Sequence, residues 1–487
     1  MENKVQLITY IDRFSCRNIN ELHQQLLREE LKPLFSGVHL LPFFYPIDRA
    51  DAGFDPIDHR KVDPRLGTWE DIKALSRDVD VMADLIVNHV SAESQQFLDY
   101  LEKGESSPFA DMFLTYRKIF PQGATDEDLL KIYRPRPGFP FSRFQFKDGT
   151  ERFVWTTFTS NQIDIDVNSE PGKAYLESIL DTFQDAGIRM IRLDAAGYAI
   201  KLPGTSCFMI DQTFSFIEAL TQKARERDMN VLVEIHSHYK TQISIAEKVD
   251  YIYDFALPVL VLDTLFHKNA TNLKKWLRMS PRNAFTVLDT HDGIGIVDVA
   301  SEQGEAGLID DKDIDHIVRK IHENSGEESK KATGAAASNL DLYQVNCTYF
   351  DALGRDENSY LIARAIQFFS PGIPQVYYMG LFAGSNDMKL LEKTNVGRDI
   401  NRHYYTANEV DESLRKPIVR NLRKLIEFRN SHPAFNGEFE IVDGENDELK
   451  LNWSKGDEFT QLFVDLNNMQ MSINYSSPNG EQNLDLI

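Results

Sequence analysis

The most constraining feature of this 487-residue sequence is a recurrence. Short apolar segments of strand length alternate eight times with longer stretches of helical character: Val5 to Tyr10, Val38 to Pro42, Val81 to Val87, Met190 to Asp194, Val231 to Ile235, Tyr251 to Phe255, Phe285 to Asp289 and Gln375 to Tyr378. Such alternation marks a parallel sheet with crossover helices, and eight repeats favour closure into a barrel. The expected fold is α/β, a (β/α)8 TIM barrel. Catalytic groups of barrels gather at the C-terminal ends of strands. Polar residues fall there in this chain: Asn88 and His89, Asp194, Glu234 and His236, His291 and Asp292.

The intervals are uneven, and the long ones mark insertions. About a hundred residues separate the third and fourth strand segments, far more than a helix needs. The expected division is barrel at 1–89, 169–292 and 355–434, an inserted subdomain at 90–168 after strand 3, and a second insertion at 293–354 after strand 7. A small C-terminal antiparallel β domain follows at 435–487, where Phe439 to Val442, Leu449 to Trp453 and Phe459 to Val464 read as strands. In the first insertion, Tyr133 to Phe141 is too rich in proline for regular structure and reads as a stiff loop carrying Arg134 and Arg136. In the second, the small residues of Thr333 to Gln344 suit either a loop of more than one conformation or plain helix packing.

The formal charge of -22 excludes nucleic acid and anionic membrane as general partners, although a small anion can still bind at a local basic pocket. Cys16, Cys207 and Cys347 are odd in number and widely spaced, which gives neither a disulfide framework nor a zinc-ligand spacing and fits a reducing cytoplasm. The N-terminus has no secretory pattern, and no apolar run approaches the ~20 residues that cross a bilayer.

Three strand-end carboxylates form the strongest chemical constellation. Asp194 follows Arg192 by two residues, which puts both on one strand face, and the cation holds the acid ionised; a structural ion pair is the alternative. Small residues follow it, Ala195, Ala196 and Gly197, leaving room for a sugar carbon. Glu234 sits on the next strand, about 4.8 Å away in a parallel barrel, which suits a retaining glycosidase pair roughly 5 to 5.5 Å apart. Its V-L-V approach is apolar, so burial is expected to keep it protonated as the acid. Asp292, beside His291, is placed to hold sugar hydroxyls and oppose developing positive charge. A metal reading draws on His236 and His238, expected on one strand face, with Asp84, His89, His291 and Asp292; no other motif supports it.

The stretches Asp84 to His89 (D-L-I-V-N-H), Arg192 to Ala195 (R-L-D-A), Val233 to His236 (V-E-I-H) and Leu288 to Asp292 (L-D-T-H-D) resemble the ordered signature blocks of the alpha-amylase family. Within it, Ala50 to His59, Ile132 to Gly138, Thr333 to Asn346 and Gly397 to Tyr405 are similar to the branch that phosphorolyses sucrose. The resemblance implies a double displacement: Asp194 attacks the glucosyl carbon, Glu234 protonates departing fructose, Asp292 steadies the transition state, and phosphate replaces water as second nucleophile. By the same resemblance Asp51, Phe54, His89, Phe158, Arg192, Tyr198, His236, His291 and Arg398 surround the glucosyl group. Arg136, Asp341, Leu342, Tyr343 and Gln344 line the acceptor and phosphate side, on loops that shift between the two half-reactions; a solvated surface residue is the alternative for Arg136. Thr290 stands where the family usually has asparagine, a change the branch tolerates. Asn88 matches one ligand of the family's calcium site, but the remaining ligands are missing, so neither metal nor cofactor is expected, phosphate being a co-substrate. The implied partners are sucrose and phosphate, with a monomer or homodimer both open. Alternatives are a phosphorylase of sucrose 6'-phosphate or glucosylglycerate, a sucrose hydrolase, and a non-catalytic binding protein of the same fold.

Overall fold

Eight parallel strands close into a barrel in sequential order: β1 (Gln6–Thr9), β2 (Gly37–Leu40), β3 (Asp80–Ile86), β4 (Met190–Asp194), β5 (Asn230–Val233), β6 (Tyr251–Asp254), β7 (Ala284–Thr286) and β8 (Ile373–Tyr377). The computed structural model describes residues 2–47, 52–135, 138–302, 304–333 and 344–486. The strands are nearly continuous apolar runs because both faces are covered, by helices outside and by the filled barrel inside. β1 pairs with β8 through Gln6 and Gln375 and with β2 through Gln6 and Gly37, which closes the ring.

Seven of the eight strands end one to three residues before their expected limits. β5 stops at Val233 and β7 at Thr286, so Glu234, His236, His291 and Asp292 stand on the loops beyond. Glu234 still follows the ladder, its N–H donating to Leu193 O at 3.2 Å.

Between β3 and β4 the chain forms the helix Gln95–Lys103, two short helices and the antiparallel hairpin of Phe141–Gln145 with Glu151–Trp155. A two-stranded ladder, His89–Ser91 with Gln162–Asp164, ties this insert to the barrel rim. Leu114, Phe120, Ile132 and Trp155 give it a small core of its own. After β7, Ile294–Gly295 pairs with Gln344–Val345, and the helix Asp311–Asn324 packs on the helix Leu257–His267. β9 (Glu438–Ile441), β10 (Glu448–Lys455), β11 (Glu458–Asp465), β12 (Gln470–Ser477) and β13 (Gly480–Asn483) form an antiparallel sheet at the C-terminal end. Its inner face alternates Leu449, Leu451 and Trp453, and Trp453 Nε1–H donates to Phe369 O at 2.8 Å on a barrel helix. Among the described residues no helix is long and apolar enough to cross a membrane, and all three cysteines are free and buried.

Candidate active site

Arg192 is the hub. It points from β4 into the barrel mouth with its side chain 2% exposed, and one guanidinium meets three carboxylates. Nη1–H donates to Asp84 and, at 3.0 Å, to Asp194 Oδ1, while Nη2 lies 3.0 Å from Glu234 Oε1. Asp84 is wholly buried and also 3.1 Å from His39 Nε2. Burial alone would raise its pKa, but His39 and Arg192 outweigh burial and hold it at about 2. Asp194 and Glu234 follow the paired residues Leu193 and Val233 of adjacent strands, which sets them side by side.

The approach strand of Glu234 is apolar, as its sequence suggests, and its carboxyl also meets the same cation as Asp194, because Arg192 reaches across the register to β5.

Immediately after Asp194 the backbone turns through Ala195, whose φ of 54° is left-handed, into a 3-10 turn Ala196–Tyr198. A non-glycine residue there carries strain of order 1 kcal/mol or more, and the turn throws Tyr198 over the pocket. Tyr198 packs on Phe208 at 4.6 Å and edge-on to Phe158 at 5.0 Å; Phe208 in turn stacks on Tyr133 at 4.5 Å. His89 Nε2–H donates to Phe54 O at 2.9 Å, and its ring meets Phe158 edge-on. Phe54 stacks on His291 at 5.1 Å and lies over the Arg192 guanidinium. Burial pushes the His291 imidazole well below the usual histidine range, which leaves it neutral.

Asp292 is held by Arg398 Nη1 at 2.9 Å, with Arg402 Nη2 and His291 Nε2 each 3.7 Å away. Burial opposes its charge, but nearby cations, Arg398 first, outweigh burial and keep the carboxyl far below the usual range. The segment 397–402 acts as a clamp on the turn that carries Asp292. Asn401 Nδ2–H donates to Thr290 O at 3.0 Å, and Arg402 Nε–H donates to His291 O at 2.9 Å.

His236 lies flat on Phe255 at 3.9 Å, with Nδ1 2.9 Å from Asp298 Oδ2 and Nε2 3.5 Å from Gln344 Nε2. Gln344 Oε1 accepts from Gly293 N–H at 3.2 Å. The structure thus brings together Phe54, His89, Phe158, Arg192, Asp194, Tyr198, Glu234, His236, His291, Asp292, Gln344 and Arg398. Asp51, Arg136, Asp341, Leu342 and Tyr343 lie outside the described residues.

The alternative cation site drawn from His236 and His238 does not assemble. The strand ends before them, and His238 turns away to donate from Nε2 to Ala306 O at 3.1 Å. Asp84 is held by Arg192 and His39, and His89 by Phe54 O. Glu234, His236 and Asp292 do bring donor atoms within 4.8 Å of one another, yet both carboxylates are taken up by arginines, a poor fit for a metal ion. At the position of Asn88, an ammonium stands where a cation would go: Lys201 Nζ lies 2.6 Å from Asn88 Oδ1 and 2.7 Å from Asp164 Oδ2.

Sequence reasoning missed Asp298, Lys201, Arg402, Phe208 and Tyr133. Arg402 had a usable signal, four residues after Arg398 in a short polar segment. Asp298 and Lys201 act on partners 62 and 113 residues away and had none.

The pattern describing the alpha amylase catalytic domain matches residues 31–438. A sucrose phosphorylase of Agrobacterium vitis is 60% identical over 98% of this chain and 98% of its own, and one of Bifidobacterium adolescentis is 52% identical over 93% and 90%. A solved structure of sucrose 6F-phosphate phosphorylase from Thermoanaerobacter thermosaccharolyticum is 41% identical and superposes with a TM-score of 0.92 over 99% of this chain and 98% of that one. With its barrel, its strand-end carboxylates and a match across most of its length, this chain belongs to the alpha-amylase family.

Proposed function

We propose that this protein is a sucrose phosphorylase, converting sucrose and phosphate to α-D-glucose 1-phosphate and fructose with retained configuration, and able to transfer the glucosyl group to other acceptors. The observation that carries the chemistry is the single guanidinium of Arg192, which lies 3.0 Å from Asp194 Oδ1 and 3.0 Å from Glu234 Oε1 and so keeps two carboxyls side by side, as a retaining mechanism requires. Asp194 attacks the glucosyl carbon as the bond to fructose breaks, and Glu234 gives its proton to the departing oxygen. A phosphate oxygen then bonds to that carbon as the ester to Asp194 breaks, the electron pair returning to Asp194 and the phosphate proton to Glu234. Asp292, fixed ionised by Arg398, opposes the positive charge of both transition states. Arg136, Asp341, Leu342, Tyr343 and Gln344 form the acceptor side in this reading. Donor and acceptor rest on the relatives above.

The catalytic site needs no metal in this reading, since arginines and Lys201 supply the cations. Three buried thiols fit a cytoplasmic enzyme, and the insertions span 90–168 and 293–354. Incubation with sucrose and phosphate, with sucrose 6'-phosphate in parallel, tests the proposal. α-Glucose 1-phosphate from sucrose is expected, and Asp194→Asn abolishes it. Product only from the phosphorylated sugar would move the assignment to that donor, and free glucose alone would make the chain a hydrolase.

A further inference from the structure

Asp298 decides how His236 stands. The aspartate is wholly buried. Its Oδ2 accepts from His236 Nδ1–H at 2.9 Å, and its Oδ1 accepts from Ser237 N–H at 3.2 Å and Gln242 Nε2–H at 2.8 Å. The backbone is closed over the pair at Gly295, where a Cβ would run into Asp298 Oδ2 and stand 3.1 Å from His236 Nδ1. On the ring's other side Nε2 lies 3.9 Å from Glu234 Oε1, and the amide of Gln344, the last residue of the acceptor segment, has its Nε2 3.5 Å away, so a proton on His236 Nε2 goes with rotation of that amide away from the ring. The charged groups facing the ring are therefore Asp298 behind, and Glu234 and Asp292 in front, the latter two engaged by Arg192 and by Arg398 with Arg402. Phe255 covers one face. Burial opposes charge on the imidazole, but Asp298 first, then Glu234 and Asp292, outweigh it and raise the pKa above the ordinary histidine value.

We propose that Asp298 is a positioning residue of the second half-reaction: by holding the Nδ1 proton it keeps His236 cationic, with Nε2–H directed to the acceptor side beside Glu234, and so favours phosphate over neutral acceptors. The proposal rests on the phosphorolytic reading above. Its physical need is plain, because Glu234, having given up its proton, and Asp292 repel an incoming phosphate, and the arginines nearest them are already engaged. In that step the carbon–Asp194 bond breaks while a phosphate oxygen bonds to the same carbon, and no further reactant is required.

Asp298→Asn separates charge from hydrogen bonding. The new amide oxygen would keep the bonds from Ser237 and Gln242, which leaves its NH2 facing Nδ1, so the neutral ring with Nε2–H is favoured and the protonated ring is disfavoured. Expected is a fall in kcat/KM for phosphate on the order of 10- to 100-fold, the worth of a charge-assisted hydrogen bond, carried mainly by KM. Glucosyl transfer from sucrose to a neutral polyol should fall several-fold less. The alkaline limb of the phosphate profile should also move to lower pH, since the cation is lost earlier as pH rises. Equal loss with both acceptors, or an unmoved pH limb, would overturn the proposal. His236→Gln, neutral at every pH, should show the same selective loss and becomes the deciding variant should Asp298→Asn fold poorly; an unchanged preference for phosphate there refutes the idea. Wild-type protein that forms no glucose 1-phosphate would instead overturn the parent reading.

Discussion

Lys201 gives the sharpest test of how the inserted subdomain is tied to the barrel. Its side chain is 1% exposed and that of Asp164 is 0% exposed, with 2.7 Å between Nζ and Oδ2. The same ammonium lies 2.6 Å from Asn88 Oδ1 at the end of β3. Lys201→Met keeps the aliphatic stem and removes only the charge. Asp164 would still accept from Thr157 N–H at 2.9 Å and from the Thr157 hydroxyl, but as a buried anion without its cation. Breaking one side of a buried pair costs about 3 to 5 kcal/mol. An independent count agrees: two charge-assisted hydrogen bonds at about 1.5 to 3 kcal/mol each give about 3 to 6 kcal/mol. The expected loss is about 4 kcal/mol, read from urea midpoints at constant slope. Because the cost lies in the orphaned anion, adding Asp164→Asn should recover part of it. His89 pairs with Asp164 across the ladder, so KM for sucrose should rise as well. A loss under about 1 kcal/mol would refute the reasoning. So would a double variant less stable than Lys201→Met alone. Calcium should not stabilise the wild-type protein, the ammonium holding the position between the two oxygens.

Two further substitutions probe the pocket and the core. A Cβ at Gly197 would stand 2.8 Å from Phe208 Cε2 and 2.9 Å from Met209 Sδ, so Gly197→Ala must push the Tyr133–Phe208–Tyr198 stack. Overpacking should cost about 1 to 3 kcal/mol, and displacement of Tyr198 should lower kcat/KM for sucrose on the order of tenfold or more; unchanged kinetics would show that the stack does not set the pocket. Burial, only partly offset by hydrogen bonds from Trp276 Nε1–H and Leu257 N–H, raises the Asp254 pKa to about 6. A raised carboxyl binds its proton more tightly folded than unfolded, so its ionisation removes stability as pH climbs from about 4 to 6 and the penalty stays at higher pH. Asp254→Asn should therefore differ little at pH 4 and gain up to about 3 kcal/mol at pH 7, at 1.36 kcal/mol per unit; a difference constant with pH would refute it.

The barrel was legible because each strand is a short run buried on both faces, and such runs cannot be mistaken for an amphipathic helix once eight of them recur with turns between. Asp194, Glu234 and Asp292 were legible because a polar residue at the end of an apolar strand has few structural uses. Less legible were neighbours in space. V-L-V before Glu234 describes the strand, whereas the cation beside its carboxyl comes from β4. His236 and His238 were placed on one face by extending a two-residue period past Val233, where the strand has ended and the chain is free to turn His238 toward Ala306. Asp298, Lys201 and Arg402 reach their partners over 62, 113 and 111 residues, and such pairs leave no local pattern.

The distribution of charge explains why those distant partners exist. Asp84, Asp194, Glu234, Asp292 and Asp298 crowd one barrel mouth, and a low-dielectric site cannot hold such a cluster unless each member has a cation or several donors fixed in advance. The chain meets this with cations that are themselves anchored. Arg192 is fixed by its strand, and Arg402 by the carbonyl of His291. Arg398 is more exposed, at 27%, and lies 2.9 Å from the outer carboxylate, Asp292. The most buried cations are thus spent on this floor of carboxyl groups, which a neutral sugar can meet without electrostatic cost. An anionic second substrate calls for a further cation, and on the described acceptor side His236, set by Asp298, presents its Nε2 beside Glu234.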